Sequence, residues 1–180
     1  LYMGLRPRSQ NPNAVNLIGC DRPTDENSEL LRMIRNAGLE LHDLSLCKSY
    51  EEYLQMAESK LNIAYLPTAR AALDALEETL GIPQIYLPVR FDFDGIRENY
   101  QKLCDVLQIS RPDFADLEVQ TSVALCSAQQ EIGDLAIAID YTAVSRPFEL
   151  AKLLCEYGFN VRYIVADAAG EDADAFAWLQ

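Results

Sequence analysis

Thiols, one imidazole and many carboxylates are the groups in this sequence able to do chemistry. The cysteines are Cys20, Cys47, Cys104, Cys126 and Cys155. Their count is odd and no C-x-x-C pair exists, so zinc-ribbon and thioredoxin-like spacings are missing. With no charged segment followed by an apolar one at the start, they read as reduced thiols of a cytoplasmic protein. Cys104, Cys126 and Cys155 fall in helical patterns among Leu, Val and Ala, where a thiol acts as a small core hydrophobe. Cys20 and Cys47 each follow a strand pattern at its carboxyl end, where doubly wound sheets keep their clefts. Two thiolates do not complete a metal or iron–sulfur shell, so the two readings are plain loop thiols and partial ligands.

His42 is the sole histidine. It sits in the middle of a strand pattern, away from the carboxyl ends where catalytic groups gather, so it reads as a surface strand residue. Glu51-Glu52, Glu77-Glu78 and Glu171-Asp172 fall at helix ends or outer faces and read as caps and solvated surface. The loop after the first strand is Gly19-Cys20-Asp21-Arg22-Pro23-Thr24. A dinucleotide site needs three glycines for close backbone approach to pyrophosphate, and Asp21 would repel phosphate. No G-x-x-x-x-G-K-S/T run is present either.

The elements that position these groups alternate. Strands are expected at 14–19, 39–46, 61–67, 82–89, 134–140 and 160–167. Helices are expected at about 25–36, 50–60, 69–80, 94–107, 113–132 and 146–157, with a last one opening near Glu171. Ser49 with Glu52 three positions on makes a capping box, and Gly38, Gly81, Gly133 and Gly158 close helices. Crossovers of about 10–15 residues between apolar strands are the βαβ pattern of an α/β parallel sheet with helices on both faces. The expected division is a lead-in over 1–13, a Rossmann-like domain over 14–110, a linking helix over 111–132 and the start of a second Rossmann-like unit over 133–180.

Charge narrows the partners. The 180 residues carry 15 basic and 28 acidic side chains, a net charge of −13. Residues 1–70 are nearly balanced at 8 basic and 9 acidic, whereas 71–180 carry 7 and 19. Phosphate backbones and anionic membranes are repelled by such a surface, so no nucleic acid and no membrane partner is expected. The acidic half serves solubility or docks a basic protein. The ends read as those of a piece cut from a longer chain, without a complete active site and with no catalytic residue assignable.

Four runs occur in order: Val15-Asn16-Leu17-Ile18-Gly19, Leu30 to Leu39, Ala57-Glu58-Ser59-Lys60-Leu61-Asn62-Ile63, and Leu76-Glu77-Glu78-Thr79-Leu80-Gly81-Ile82-Pro83. Together they resemble the nitrogenase component 1 type oxidoreductases: nitrogenase catalytic subunits, cofactor-assembly scaffolds and dark-operative protochlorophyllide reductase subunits. The likeness covers about residues 12–110, and more loosely Leu135 to Ala166. It implies Rossmann-like domains and reductive redox chemistry, or metallocofactor or tetrapyrrole handling, in the full-length protein. It also implies a paralogous subunit or homodimer partner and an ATP-dependent iron-protein reductase. An iron–sulfur or related metallocluster would belong to the full-length protein, with none expected in this piece.

In nitrogenase-type relatives a cysteine after the L-N-hydrophobic strand ligates the large cofactor, and that position falls on Leu66 here. Leucine offers no thiolate, which implies a second reading: a non-catalytic partner subunit or scaffold that has lost the ligand. Cys20, Asp21, Cys47, Tyr65, Leu66 and Arg90 are the expected cofactor-contacting residues of the cleft. Arg90 follows an apolar strand and precedes Phe91-Asp92-Phe93. Its guanidinium either forks onto a carboxylate, such as a tetrapyrrole propionate or homocitrate-like acid, or pairs with Asp92, Asp94 or Asp21.

Overall fold

Short apolar strands flanked by capped amphipathic helices produce an α/β architecture in this computed structural model, which describes residues 2–20 and 22–180. The chain divides into two compact units, Leu1–Pro88 and Val89–Gln180.

In the first unit, β1 (Ala14–Leu17), β2 (Glu40–Asp43), β3 (Asn62–Ala64) and β4 (Gln84–Tyr86) form one sheet in the order β2-β1-β3-β4. Every pairing is parallel. The connections run through α1 (Glu29–Asn36), α2 (Tyr50–Gln55) and α3 (Arg70–Leu80). Stepping from β1 outward to β2, then back across β1 to β3 and on to β4, right-handed crossovers put α1 on one face and α2 and α3 on the other. Ser28 caps α1 and Ser49 caps α2, each accepting from a backbone N–H of the first turn. Glu52 returns the bond from Lys48 N at 2.6 Å, the reciprocal half of the expected capping box.

The strands are shorter than the sequence pattern, and at β2 a side chain ends the pairing. Asp43 ends β2 by accepting from Ser45 N at 2.9 Å, which starts a 3₁₀ turn over Leu44–Leu46. The expected helix over 50–60 stops at Gln55 and passes into a 3₁₀ turn, Met56–Glu58. Ile18, Met56, Ala57, Ala64, Ala69, Leu73 and Leu76 form the apolar core on the α2–α3 face. Fully burying side chains of this size contributes about 1.5–3 kcal/mol each for the larger ones.

One row of that face is polar from edge to edge. The register places His42, Asn16, Asn62 and Gln84 side by side on β2, β1, β3 and β4. Asn16 and Asn62 are almost completely buried. Asn16 Nδ2 donates to Met56 O and to Asn62 Oδ1, both at 2.8 Å. Gln84 Nε2 reaches Asp74 and Glu77 on α3. His42, expected at the surface, is instead 13% exposed in its side chain and bonds Ser59. The reason is the chain of the 3₁₀ turn at 56–58 and Ser59, which folds over this end of β1.

The second unit contains α4 (Phe93–Leu107), α5 (Ala115–Ile132), β5 (Ile137–Asp140), α6 (Pro147–Glu156), β6 (Val161–Val165) and α7 (Ala173–Leu179). β5 and β6 pair in parallel, with a register shift between Ile137 and Ala138. Phe148 of α6 and Phe176 of α7 meet edge to face, ring centroids 5.1 Å apart. The helix over 93–107, expected in the first domain, packs with this unit: Arg97 on α4 pairs with Glu118 on α5. Cys104 is buried as expected, but Cys126 is exposed, because α5 buries none of its residues. Among the described residues no helix is long and apolar enough to cross a membrane.

Candidate functional site at the carboxyl edge of the first sheet

Parallel strands that end together leave a crevice beyond their carboxyl ends, and the loops leaving β1, β2 and β3 carry the expected site residues there. The β1 loop is placed by Gly19. Its φ is +83°, and a Cβ built on it would stand 2.3 Å from the Ala69 side chain. Only glycine allows this approach, which lays the loop bearing Cys20 against the turn Pro67–Ala69 at the start of α3. The Gly19 N–H donates to the Tyr2 hydroxyl at 3.2 Å. Burial pushes the Tyr2 hydroxyl's pKa up, and the Gly19 N–H offsets part of that rise, while negative charge at Cys20, Asp43 and Tyr53 adds to it.

The β2 loop is organised by Asp43, 2% exposed. One oxygen takes Thr24 N at 3.3 Å and Thr24 Oγ1 at 3.1 Å. The other takes Ser45 N at 2.9 Å and Ser45 Oγ at 2.7 Å. A carboxylate with four donors is a structural clasp and has no lone pair directed at a ligand. Cys47 follows, its thiol donating to Asp43 O at 3.5 Å. Burial raises its pKa, and the negative charges of Glu52 and Asp43 raise it further.

Tyr65 and Leu66 leave β3, both half-buried. Leu66 ends in hydrocarbon and offers no thiolate. Asp21 lies outside the described residues. Cys20, Cys47, Tyr65 and Leu66 therefore occupy the loops of one sheet edge, with Gly19 drawing the first against the third. Arg90 belongs to the second unit. Its Nε and NH2 donate to Asp92 Oδ2 at 2.9 and 2.7 Å, and Nε lies 3.1 Å from Glu149 Oε1. Burial lowers its affinity for a proton, but Asp92 and Glu149 more than reverse this. Of the two readings for Arg90, pairing with Asp92 is the contact observed, and Glu149 joins it.

A metallocluster needs several thiolates or imidazoles converging within bonding distance. Among the described residues no three His, Cys, Asp or Glu side chains are grouped to hold a metal ion. The residues here do not fit such a group: one edge position is leucine, and the edge's two thiols alone do not complete a metal shell. What the loops of this edge carry is two thiols, a phenol and hydrocarbon.

Sequence reasoning missed the buried charge of Arg146, 5% exposed, and Asp172, expected as cap or solvated surface, is instead 3% exposed because Arg146 and Phe148 N bind its carboxylate. Arg146 precedes Pro147 at a helix start, a signal of an opening turn but not of a buried guanidinium.

The model of the family described as Nitrogenase component 1 type Oxidoreductase matches residues 3–180. Among solved structures 47 chains match. One of them, titled "Nitrogenase Cp1 at pH 6.5", superposes with a TM-score of 0.64 at 16% identity, over 97% of this chain and 44% of that one. At that identity the likeness speaks to the fold, and this chain spans less than half the length of its structural neighbour. No curated protein matches the chain.

Proposed function

Because the chain belongs to the nitrogenase component 1 type oxidoreductase family, we propose that it is part of a longer reductive protein of that kind, and that it serves there as the partner-subunit or scaffold portion. The whole assembly would carry out reductive redox chemistry, or handle a metallocofactor or a tetrapyrrole. Its partners would be a paralogous subunit or a second copy, and an ATP-dependent iron protein as electron donor. Any iron–sulfur or related cluster would be ligated by residues outside this chain. The acidic surface and the thiols point to a cytoplasmic setting.

Leu66 carries this reading. It stands at the end of β3, the edge from which a doubly wound sheet serves its ligand, and it cannot bind iron. Cys20, Cys47 and Tyr65 would then contact a cofactor or a partner without ligating metal. Arg90 would keep its carboxylate partners and stiffen the start of α4.

Anaerobic purification separates the alternatives. The 180-residue chain should carry no stoichiometric iron or sulfide, while the full-length protein with its partner should carry both. Stoichiometric iron on the 180-residue chain would overturn the partner or scaffold reading. An iron-free complete assembly that still reduces its substrate would overturn the metallocluster half alone.

A further inference from the structure

In the second unit the buried side chains of Arg146, Glu149 and Asp172 place two carboxylates against one guanidinium, and the more exposed pair Arg90 and Asp92 adjoins them. The starts of α4 and α6 and the 3₁₀ turn Gly170–Asp172 meet at a cavity of about 470 Å³. Arg146 ties them together. Its Nε donates to Asp172 Oδ1 at 2.6 Å, NH1 to Val89 O at 2.7 Å and NH2 to Glu171 O at 3.1 Å. NH2 also lies 3.0 Å from Glu149 Oε1, the oxygen that pairs with Arg90 Nε. Asp172 Oδ2 accepts from Phe148 N at 3.2 Å. Asp92 Oδ1 accepts from Gly95 N at 2.6 Å, and Oδ2 takes Arg90.

Asp92 and Asp172 thus have partners on both oxygens, and Glu149 does not. Its Oε2 is buried with no hydrogen-bond partner. Other cations nearby do not make up the deficit. Lys152 pairs with Glu156 at 3.8 Å and lies over the Trp178 ring. Asp94 is taken by Arg97. Asp174 and Glu171 at the cavity add only negative charge. A bare carboxylate oxygen shut away from water without a donor is far costlier than a neutral carboxyl in the same place.

We propose that Glu149 carries a proton in the folded second unit at pH values where ordinary glutamates are ionised, and that its ionisation loosens the junction of segments 89–92, 146–149 and 171–172. The cluster is then a pH-sensitive latch. The desolvation of Glu149 raises its pKa, the two guanidiniums reverse that only in part, and Asp92 and Asp172 add to the rise. A carboxyl of raised pKa binds more protons folded than unfolded. Its stabilisation is complete below the ordinary glutamate range and is lost as pH climbs through the folded value. Asp92, held low by Gly95 N–H and Arg90 despite burial, works in the opposite direction and only in more acidic solution.

The test is thermal unfolding of the 180-residue chain, read by the fluorescence of Trp178, its sole tryptophan, from about pH 5 to about pH 8. The wild-type midpoint should fall as pH rises, by about 3–5 °C for each tenfold difference in proton affinity between folded and unfolded chains. Glu149→Gln, which keeps the shape and removes the titration, should flatten that slope. A flat wild-type profile, or parallel profiles for the two proteins, overturns the proposal. If Glu149→Gln does not fold, the carboxyl ¹³C shift of Glu149 in the wild type decides the matter. Titration above the ordinary glutamate range supports the latch, and titration within or below it overturns the latch.

Discussion

Ser59 gives its hydroxyl proton to Asn16 Oδ1 at 2.8 Å, and its oxygen is then left to accept from Nδ1 of His42 at 3.2 Å. The direction follows from Asn16, whose Nδ2 is committed to Met56 O, a pure acceptor. Ser59→Ala leaves a buried amide oxygen and an imidazole N–H without their partner. The expected loss is about 1–3 kcal/mol, read as a lower urea midpoint with an unchanged slope. A change within about 0.5 kcal/mol, the range of an ordinary surface substitution, would mean that water replaces the hydroxyl.

Gly19→Ala meets two penalties at once. The backbone sits at φ +83°, and the new methyl would stand 2.3 Å from the Ala69 Cβ and 3.2 Å from its Cα. Neither atom is the end of a flexible side chain. We expect a loss of about 2–4 kcal/mol, because positive-φ strain and overpacking act together. Gly38→Ala is the control. Its φ is +70° but nothing lies within 4 Å of the added carbon, so only the backbone term should appear, about 1 kcal/mol. Equal losses for the two variants would show that the loop does not press on α3.

Asp92 both caps α4 and receives Arg90, so its carboxylate form is favoured by folding. Its pKa is lowered: burial raises it, and Gly95 N–H and Arg90 more than cancel that. A lowered carboxyl stabilises above its unfolded value and ceases to do so as pH falls through the folded one. Asp92→Asn keeps the cap and gives up the charge. Its deficit against wild type should be present at neutral pH and vanish as the solution becomes more acidic than the ordinary aspartate range. Asp92→Ala removes the cap as well and should cost about 1 kcal/mol more at every pH. Circular-dichroism melts of the three proteins at neutral and acidic pH check both statements.

The alternation of apolar runs with capped helices was enough to read the parallel α/β sheet, the half-exposed edge strand β2 and the helix-ending glycines. Backbone propensity and burial period act within a few residues, so they leave local marks. Strand lengths were overestimated where an apolar pattern continued past a side chain that ends pairing, as at Asp43. The likeness in Val15 to Gly19 and Leu76 to Pro83 led to the family. His42, half-buried, and Cys126, exposed, depart from the sequence expectation for one common reason. Burial of either depends on what a distant segment does: Ser59 folds over the first, while the segments that touch α5 leave Cys126 exposed. The partners of Arg90 were half legible. Asp92 is two residues away, whereas Glu149 is far along the chain and only packing brings it in. Leu66 carried its meaning through the likeness alone, since hydrocarbon has no spacing rule.

The polar row across the first sheet also proofreads strand pairing. Side chains alternate faces, so sliding β1 by one residue against β3 would set Val15 or Leu17 beside Asn62 and turn Asn16 toward the opposite, α1-side layer. Each mispaired state strands amides in hydrocarbon, a cost of several kcal/mol that an all-valine row would never levy. The single bond from Asn16 Nδ2 to Asn62 Oδ1 therefore selects one alignment from several of similar hydrophobicity. Replacing both asparagines with leucine would preserve bulk and erase that discrimination. The resulting chain should collapse readily and then sort slowly among misaligned sheets.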